Sequence, residues 1–564
     1  MSSSCSCNSV KETTQISSCG STLAQEMITS PVWVYGYEFV MSYANDRITQ
    51  KRVVGAIILI ISFLRLMSLQ KKRPLFRVRG YPVIGNLLSF LPGRDALKNV
   101  TKMVKKHGNL LELFIFRHRI IVVADVAIAK ECLVKRPKTF RRAAALEIPA
   151  GLFGLGKKSG VFFAEGNSWA RQRRLTAPAF SHKNVGLMSD AISKEIDCFI
   201  GRLKALKAGE VVPIETQILF FTIGVITSVA FGDMPAESRS YFQSAELSQD
   251  IGSIFIYMVE RSFFPLPDFM WRFSNKYYTQ SKAAEADKRF SAECLSHIGS
   301  ARHAAPTATV TDADPDATQG DEGDTGAAVS SRKSLLENLM GTQTGAEKPL
   351  TDSEILSNLK IFYLAGSDTT SVVLTWCIYN LCTNEEVLKT VQEEVDSVLR
   401  VNVTGAEAVA AVPLLPYCTA CFNESLRLQS PVESLVLSVA GYDSITLSNG
   451  VEVHPRDEVF VHVDSILHDP TIFPAPEVFL PSRWSAEPSN KEKRNEMEDS
   501  FLAFGYGPRV CPGQALAHAE GVAALAALIR SFTFTLACPK SEIERVTDFV
   551  TKANKMPVFL TPRK

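Results

Sequence analysis

The most informative segment of the chain is Phe504-Gly505-Tyr506-Gly507-Pro508-Arg509-Val510-Cys511-Pro512-Gly513. In it a glycine-rich, proline-stiffened turn leads to one cysteine, and an apolar helix is predicted to follow from Gln514 to about Ser531. Cys511 occupies a natural N-cap position, and Pro512 suits the first position of the helix. The unpaired N–H groups and the positive dipole end of that helix therefore face the sulfur, which favours the thiolate form that binds metals.

The glycines of this stretch leave space for a flat group against the backbone, and Arg509 places a cation near the sulfur, suited to a carboxylate on that group. The spacing F-x-x-G-x-R-x-C-x-G resembles the haem-binding loop of the cytochrome P-450 family, with every fixed position present. The resemblance implies that Cys511 is the axial ligand of a haem iron. It also implies cofactor contacts from Phe504, Gly505, Arg509 and Gly513. The alternative is a buried structural cysteine at the start of a helix.

Composition excludes some other classes of function. The chain has 564 residues, of which 46% are hydrophobic, and its formal net charge is +2. Such a balance gives no electrostatic footprint for nucleic acid. The twelve cysteines show no regular spacing, which in a chain of this length indicates reduced thiols in a cytosolic catalytic part.

The N-terminal region differs from the rest of the chain. Residues 1–50 are polar and predicted to be disordered, and residues 51–73 form an apolar segment that predicts a membrane anchor, with a buried core helix as the alternative. Positive charges are more numerous after this segment than before it, so the body of the protein is expected in the cytosol. Residues 74–564 are predicted to form one catalytic domain, interrupted by a disordered acidic insertion at 302–331.

A long helix is predicted from the capping box that begins at Thr351, and it continues to about Cys382. Its middle reads Ala365-Gly366-Ser367-Asp368-Thr369-Thr370, a run of poor helix formers. Such a conflict inside a buried helix tends to mark function, although an ordinary kink is the alternative. Gly366 would leave a gap for a small ligand, the hydroxyl of Thr369 could turn into it, and Asp368 could supply protons. The run resembles the oxygen-activating A-G-x-D-T-T segment of the same family, which implies catalytic roles for Asp368 and Thr369 and cofactor contacts at Ala365 and Gly366.

Two further motifs gain meaning from the resemblance. Trp169 and Arg173 are four residues apart on one helix face, and both can donate to a carboxylate. In the family, W-x-x-x-R holds the haem propionates. Glu424 and Arg427 form an E-x-x-R pair, which with Arg483 resembles the family's buried network, a structural support for the cysteine loop.

The sequence departs from the family pattern at one place. After the E-x-x-R helix, many relatives have an arginine or histidine that reaches a haem propionate, but Pro431 to Tyr442 contains no basic residue and has Glu433 instead. Either another residue holds that propionate, or Glu433 meets a polar substrate group, or Glu433 is a solvated surface residue. A pair of strands is expected at Leu110 to Val123.

The resemblance covers the chain from about Pro74 to its C-terminus. It implies a mainly α fold with small β-sheets, the cytochrome P-450 fold, with haem b (iron protoporphyrin IX) between the long helix and the cysteine-loop helix. It implies a monooxygenase that inserts one atom of O2 into a lipophilic small molecule of fatty acid, sterol or isoprenoid type. Electrons would come from NADPH through a separate flavoprotein reductase, with a cytochrome b5 type protein as a further donor.

The expected location is the endoplasmic reticulum membrane, with an organelle envelope as the alternative. Two other functions stay open: a haem-thiolate isomerase or dehydratase acting on hydroperoxides, and a non-enzymatic membrane haem-binding protein.

Overall fold

The computed structural model describes residues 75–90, 96–143, 160–207, 209–232, 236–242, 276–304, 334–341, 348–485, 491–547 and 550–563, with 244, 247 and 252. The chain divides into two compact units, Met1–Arg73 and Pro74–Lys564, of which the second contains the described residues. The predicted segments 1–50 and 51–73 therefore lie outside the described residues. So does the predicted insertion, except that its residues 302–304 are the end of a helix and not part of an irregular segment.

Helices make up most of the described chain. They are α1 (Ala96–His107), α2 (Val126–Val134), α3 (Gly160–Phe163), α4 (Gly166–Thr176), α5 (His182–Leu187), α6 (Ser189–Lys204), α7 (Ile214–Phe231), α8 (Ala236–Phe242), α9 (Lys276–Ala304), α10 (Leu335–Gly341), α11 (Asp352–Thr383), α12 (Glu385–Val398), α13 (Gly405–Ala411), α14 (Pro416–Leu428), α15 (Val463–Leu467), α16 (Lys491–Asp499) and α17 (Gln514–Ser531). Short strands lie between them, so the prediction of a mainly α fold with small sheets is confirmed.

The strands form small sheets. They are β1 (Phe76–Arg77), β2 (Leu110–Ile115), β3 (His118–Val123), β4 (Phe140–Arg142), β5 (Val211–Pro213), β6 (Ser434–Val439), β7 (Ile445–Thr446), β8 (Glu452–Val453), β9 (Glu458–His462), β10 (Phe532–Leu536), β11 (Arg545–Thr547), β12 (Thr551–Ala553) and β13 (Pro557–Pro562). The largest sheet has the order β1-β2-β3-β9-β6-β4, and the predicted pair at 110–123 is its antiparallel β2–β3 hairpin.

The long helix α11 begins as predicted. The hydroxyl of Thr351 accepts the N–H of Glu354 at 3.3 Å, and the Glu354 carboxylate accepts the N–H of Thr351 at 2.9 Å, which completes the capping box. One turn further on, Asn358 is fully buried and connects three helices. Its side-chain oxygen accepts the N–H of Val161 on α3 at 2.7 Å, and its amide nitrogen donates to Gln172 on α4 at 3.0 Å.

The helix α7 is apolar on all sides and packs along α11. The side chain of Ile226 lies against Gly366, because a Cβ atom at this glycine would lie 2.8 Å from Cδ1 of Ile226. The side chain of Ile226 therefore fills the space on the Cβ side of Gly366, and the predicted cofactor contact at this residue stays a prediction. The missing side chain of this glycine serves helix packing.

Several described helices are apolar enough to cross a membrane when only length and composition are considered. They are α7 and α11, together with the pair Gly405–Leu414 and Pro416–Leu428, which would be one span bent by 88°. The most apolar windows of α7 and α11 are 67% and 78% buried inside the protein, so packing within the domain uses their apolar surface.

Candidate functional site

The cysteine loop is held by its own backbone. The N–H of Cys511 donates to the carbonyl oxygen of Phe504 at 2.9 Å, which closes the loop around two short 3-10 turns. Gly507 has a φ of +71°, and a Cβ there would lie 2.9 Å from the carbonyl oxygen of Leu133, so a side chain is excluded on both counts. The N-cap of α17 is Gly513. The prediction of Cys511 as N-cap is therefore wrong, because Pro512 and Gly513 form a turn before the helix begins.

The thiol of Cys511 is accessible but closely surrounded by protein. Burial raises its pKa, while the N–H groups of Gly513 and Gln514 and the guanidinium of Arg173 act in the opposite direction. The expectation that the loop alone favours the thiolate is therefore wrong, since the desolvation of a charged sulfur outweighs the helix terminus. Binding of a metal ion deprotonates a cysteine ligand directly, so an accessible thiol facing two N–H groups still fits a metal ligand.

The residues predicted on α4 both reach the cysteine loop. The indole of Trp169 is buried. The guanidinium carbon of Arg509 lies over this indole, 4.4 Å from the ring centre. Nη2 of Arg173 donates to the carbonyl oxygen of Val510 at 2.9 Å. The structure thus brings the W-x-x-x-R motif and the cysteine motif into direct contact.

Arg509 is partly neutralised by a neighbour that sequence reasoning did not identify. Its Nη2 atom lies 2.7 Å from Oε2 of Glu165, and the same nitrogen donates to the carbonyl oxygen of Ala164 at 2.6 Å. Burial lowers the pKa of Arg509 to about 10, although Glu165 acts to raise it. Its Nε atom has no hydrogen-bond partner among the described residues, so one donor of this buried side chain is available for another acceptor.

Two more arginines belong to this cluster. Arg136 is 5% exposed, and its Nε and Nη2 atoms have no hydrogen-bond partner in the part of the chain that the structure describes. Arg142 donates through Nε to the carbonyl oxygen of Phe162 at 3.1 Å. Its guanidinium carbon lies 3.7 Å from the centre of the Phe162 ring. No motif marked either residue, and the position of Arg142 depends on the pairing of β4 with the distant strand β6.

The cluster has the chemistry of an anion site. The guanidinium groups of Arg136, Arg142, Arg173 and Arg509 lie near one another, and burial lowers the pKa of each. Within the described residues, Glu165 is the carboxylate that contacts the cluster. Unpartnered donors on buried cations are costly unless an anion binds them, and the two carboxylates of haem would do so. The residues present therefore fit that cofactor.

The middle of α11 presents one open face. Ala365 is exposed although the helix around it is buried, and the hydroxyl of Thr369 donates to its carbonyl oxygen at 2.7 Å. Burial raises the pKa of Asp368 to about 6, and the ammonium group of Lys552 opposes this shift. Asp368 can therefore exchange a proton near neutral pH, which is the requirement for a general acid at this place.

A second buried acid contacts the segment Ala365 to Thr370 of α11. Glu520 on α17 is 2% exposed, and its carboxyl group is hydrogen-bonded to the side chain of Thr370. Burial raises its pKa to about 8, so the acid is largely neutral at pH 7. The two helices on either side of the candidate site are thus joined by an uncharged carboxyl group.

Replacing Glu520 by Gln should stabilise the protein at alkaline pH. The folded protein holds the Glu520 proton up to about pH 8, whereas the unfolded chain releases it near pH 4.5. The cost of burying this acid is therefore absent below pH 4.5 and grows to about 5 kcal/mol as the pH rises through 8. Denaturant unfolding should show E520Q gaining stability at pH 8.5 and little at pH 4.5, while the exposed control E452Q changes at neither. An equal gain of E520Q at both pH values would contradict this assignment.

The E-x-x-R residues form a fully buried network. Oε2 and Oε1 of Glu424 accept from Nε and Nη2 of Arg427 at 3.0 and 2.9 Å, and Oε1 also accepts from Nε of Arg483 at 3.0 Å. The Trp484 indole N–H donates to Oε2 at 3.0 Å. Arg427 binds the carboxylate through two donors and Arg483 through one. The structure brings all three predicted residues together.

Glu433 is buried and is not a solvated surface residue. It is 7% exposed and forms an ion pair with Arg545, which also contacts Oδ1 of Asp464 at 3.1 Å. The alternative of a solvated surface residue is therefore wrong, and a contact of Glu433 with a polar substrate group stays untested. Arg545 is on β11, about 110 residues after Glu433 in the sequence. No local sequence signal connects the two residues.

Comparisons with known proteins agree with this geometry. The family model described as Cytochrome P450 matches residues 77–558. The chain is 28% identical over 479 residues to cytochrome P450 3A30 of Fundulus heteroclitus, covering 82% of this chain and 86% of that protein. It is 26% identical to trichothecene C-4 hydroxylase of Trichoderma arundinaceum, over 68% of this chain and 73% of that protein.

A third relative is a fusion protein. The chain is 26% identical to the bifunctional cytochrome P450/NADPH–P450 reductase of Fusarium oxysporum, over 82% of this chain and 40% of that protein. Since the family model covers far more than half of the chain, the chain belongs to the cytochrome P450 family of haem-binding monooxygenases.

Proposed function

We propose that this P450 inserts one oxygen atom from O2 into a lipophilic small molecule, with electrons from a separate NADPH-dependent flavoprotein reductase. The observation that carries the proposal is the pairing of an accessible Cys511 loop with an accessible face of α11 at Ala365, beside Asp368 and Thr369. A carrier of haem would need the first of these features but not the second.

The proposed cofactor contacts follow from the site. Haem b, when bound, supplies the iron that binds O2 and oxidises the substrate. Cys511 would ligate the iron, with the N–H groups of Gly513 and Gln514 directed at its sulfur. Trp169, Arg173 and Arg509 would hold the haem carboxylates, while Phe504, Gly505, Gly513, Ala365 and Gly366 would lie against the macrocycle. The network of Glu424, Arg427 and Arg483 would support the loop from behind.

Proton supply is proposed for Asp368 and Thr369. The Thr369 hydroxyl donates to the carbonyl oxygen of Ala365, so its oxygen lone pairs are free to accept a proton from a neighbouring donor. Asp368 is adjacent, and its raised pKa allows it to release and recover protons at neutral pH. The pair can thus deliver protons to the open face of α11.

The partners are proposed on separate grounds. The helices α7 and α11 are rich in apolar residues, and apolar surroundings of the site would suit a fatty acid, sterol or isoprenoid. The chain has no convincing dinucleotide or flavin motif, and one relative carries a P450 and an NADPH–P450 reductase in a single chain, which supports a reductase partner, with a cytochrome b5 type donor as a further source of electrons. Residues 51–73 would anchor the protein in the endoplasmic reticulum membrane, with the domain in the cytosol and an organelle envelope as the other location.

The experiment that tests the proposal is turnover of purified protein with reductase, NADPH and a panel of lipophilic substrates, after an absorption spectrum of the reduced, CO-bound form. The expected result is a strongly red-shifted Soret band and NADPH-dependent product. Conversion of a hydroperoxide without reductase, and no NADPH-dependent product, would favour the isomerase or dehydratase. A haem spectrum with no turnover of either kind would favour a haem-binding protein without enzymatic activity.

Replacing Thr369 by Ala should uncouple electron use from product formation. Loss of the hydroxyl oxygen removes a proton acceptor from the open face of α11, so product formation should fall about tenfold or more. NADPH oxidation should continue, with hydrogen peroxide rising in place of product. The matched control is Thr375→Ala, because the Thr375 hydroxyl makes the same type of bond, to the carbonyl oxygen of Ser371 at 2.8 Å. Unchanged coupling in T369A would contradict the assigned role.

A further inference from the structure

We propose that His518 on α17 is a positioning residue for the cysteine loop. It fixes the aromatic ring of Phe504, the first residue of the loop motif, and joins that ring through Asn423 to helix α14, which carries the E-x-x-R residues. The inference rests on the proposed role of Cys511 as the iron ligand, and it can fail while that role stands.

The imidazole of His518 is held at both of its nitrogen atoms. Nδ1 lies 2.9 Å from the carbonyl oxygen of Gln514, one turn earlier in α17, and Nε2 lies 2.9 Å from Oδ1 of Asn423 on α14. A carbonyl oxygen only accepts, so Nδ1 carries a proton. The amide of Asn423 can present its oxygen to a protonated Nε2 or its N–H to an unprotonated one, so it holds the ring in either state. Rotation of the ring therefore breaks at least one hydrogen bond.

The fixed imidazole packs against the ring of Phe504. The centres of these two rings lie 5.3 Å apart, with 39° between their planes. Phe501 contacts Phe504 edge-on, with the ring centres 6.5 Å apart. Rings at such separations attract one another in defined geometries. Since Phe504 is half-buried, these contacts contribute to its orientation.

The other side of the imidazole belongs to a closely packed region. The ring of Phe422 on α14 lies 5.5 Å from that of His518, centre to centre. The same phenylalanine fills the space at Gly521 of α17, because a Cβ atom there would lie 2.4 Å from Cε2 of Phe422. Asn423 is the next residue, and Glu424 of the buried network follows it. His518 is therefore anchored on two helices that interlock, and it transmits their position to Phe504.

The position of Phe504 matters because this residue closes the cysteine loop. Its carbonyl oxygen accepts the N–H of Cys511 at 2.9 Å. A displacement of Phe504 would weaken this hydrogen bond and release the backbone of Cys511. His518 thus acts on Cys511 through Phe504, and its loss should make the thiolate ligand easier to displace.

The test follows the reduced, CO-bound protein in mild denaturant, and it needs neither substrate nor reductase. The measured quantity is the rate at which the red-shifted Soret band converts to the position seen with a neutral ligand opposite the CO. We expect conversion about tenfold faster in H518F, which keeps a ring but loses both hydrogen bonds. N423L, which loses only the bond from α14, should show a smaller increase. H518A, which also loses the ring, should show a larger one.

The matched control is H454F. His454 lies between β8 and β9, is exposed, and has its Nδ1 atom hydrogen-bonded to the hydroxyl of Ser444 at 2.7 Å. H454F should convert at the wild-type rate. Circular dichroism of the same samples separates positioning from general stability, because the band of the His518 variants should convert before the helical signal is lost.

Two results would overturn the inference and leave Cys511 as the ligand. One is conversion of H518F and N423L at the rate of H454F. The other is conversion that occurs only together with loss of the helical signal. If H518F does not fold, N423L decides, because it keeps the histidine ring. A folded wild-type protein without the red-shifted band would overturn both the proposed ligand and the role of His518.

Discussion

Replacing Cys511 by His is expected to abolish monooxygenation and to remove the red shift of the reduced, CO-bound protein. Imidazole is a neutral ligand, so it cannot push electron density towards the iron as a thiolate does. The Soret band of the C511H protein with CO should therefore lie at the position seen when a neutral ligand is opposite the CO. Turnover should fall below detection even if haem is retained.

The control for this change is Cys198→Ser, since Cys198 is also an exposed, unpaired cysteine but lies on α6. The spectrum and activity of C198S should match those of the wild type. A strongly red-shifted band in C511H would show that another residue ligates the iron, and the proposed role of the cysteine loop would then be wrong.

Replacing Glu424 by Gln is expected to reduce the free energy of unfolding by about 3–5 kcal/mol. The substitution leaves the guanidinium groups of Arg427 and Arg483 buried without their common anion, and the new amide directs N–H donors at cations. Denaturant unfolding followed by circular dichroism would measure the change. Haem content should fall as well, because this network is expected to support the cysteine loop.

The matched control is Glu477→Gln, which removes an exposed ion pair with Lys105. Exposed pairs contribute about 0–1 kcal/mol, so E477Q should be close to the wild type. A loss in E424Q no larger than that in E477Q would mean that the buried network contributes little, contrary to its geometry.

Local motifs predicted much of this molecule. The capping box at Thr351 and the β2–β3 hairpin depend on residues a few positions apart, and the structure has both. The cysteine loop and the E-x-x-R residues were found by spacing, because backbone closure and ion pairing require particular residue types at particular distances. Each of these features is either short in sequence or defined by a family pattern.

Long-range pairing was not predictable in this way. Glu433 meets Arg545, and Gly366 meets Ile226, only because distant elements pack together. In the anion cluster, the position of Arg142 depends on the register of β4 against β6. The thiol of Cys511 shows the same limit for electrostatics, since local dipoles were visible in the sequence but the burial that outweighs them was not.

Two of the contacts that hold the long helix α11 respond differently to alkali. Asn358 carries no titratable proton, so its bonds to α3 and α4 persist at any pH that leaves the backbone intact. The contact between Thr370 and Glu520 must accept a buried negative charge once the acid ionises. Alkaline inactivation should therefore begin at the centre of the helix while its first turns stay protected from hydrogen exchange. The protein would lose its catalytic competence well before it loses its fold.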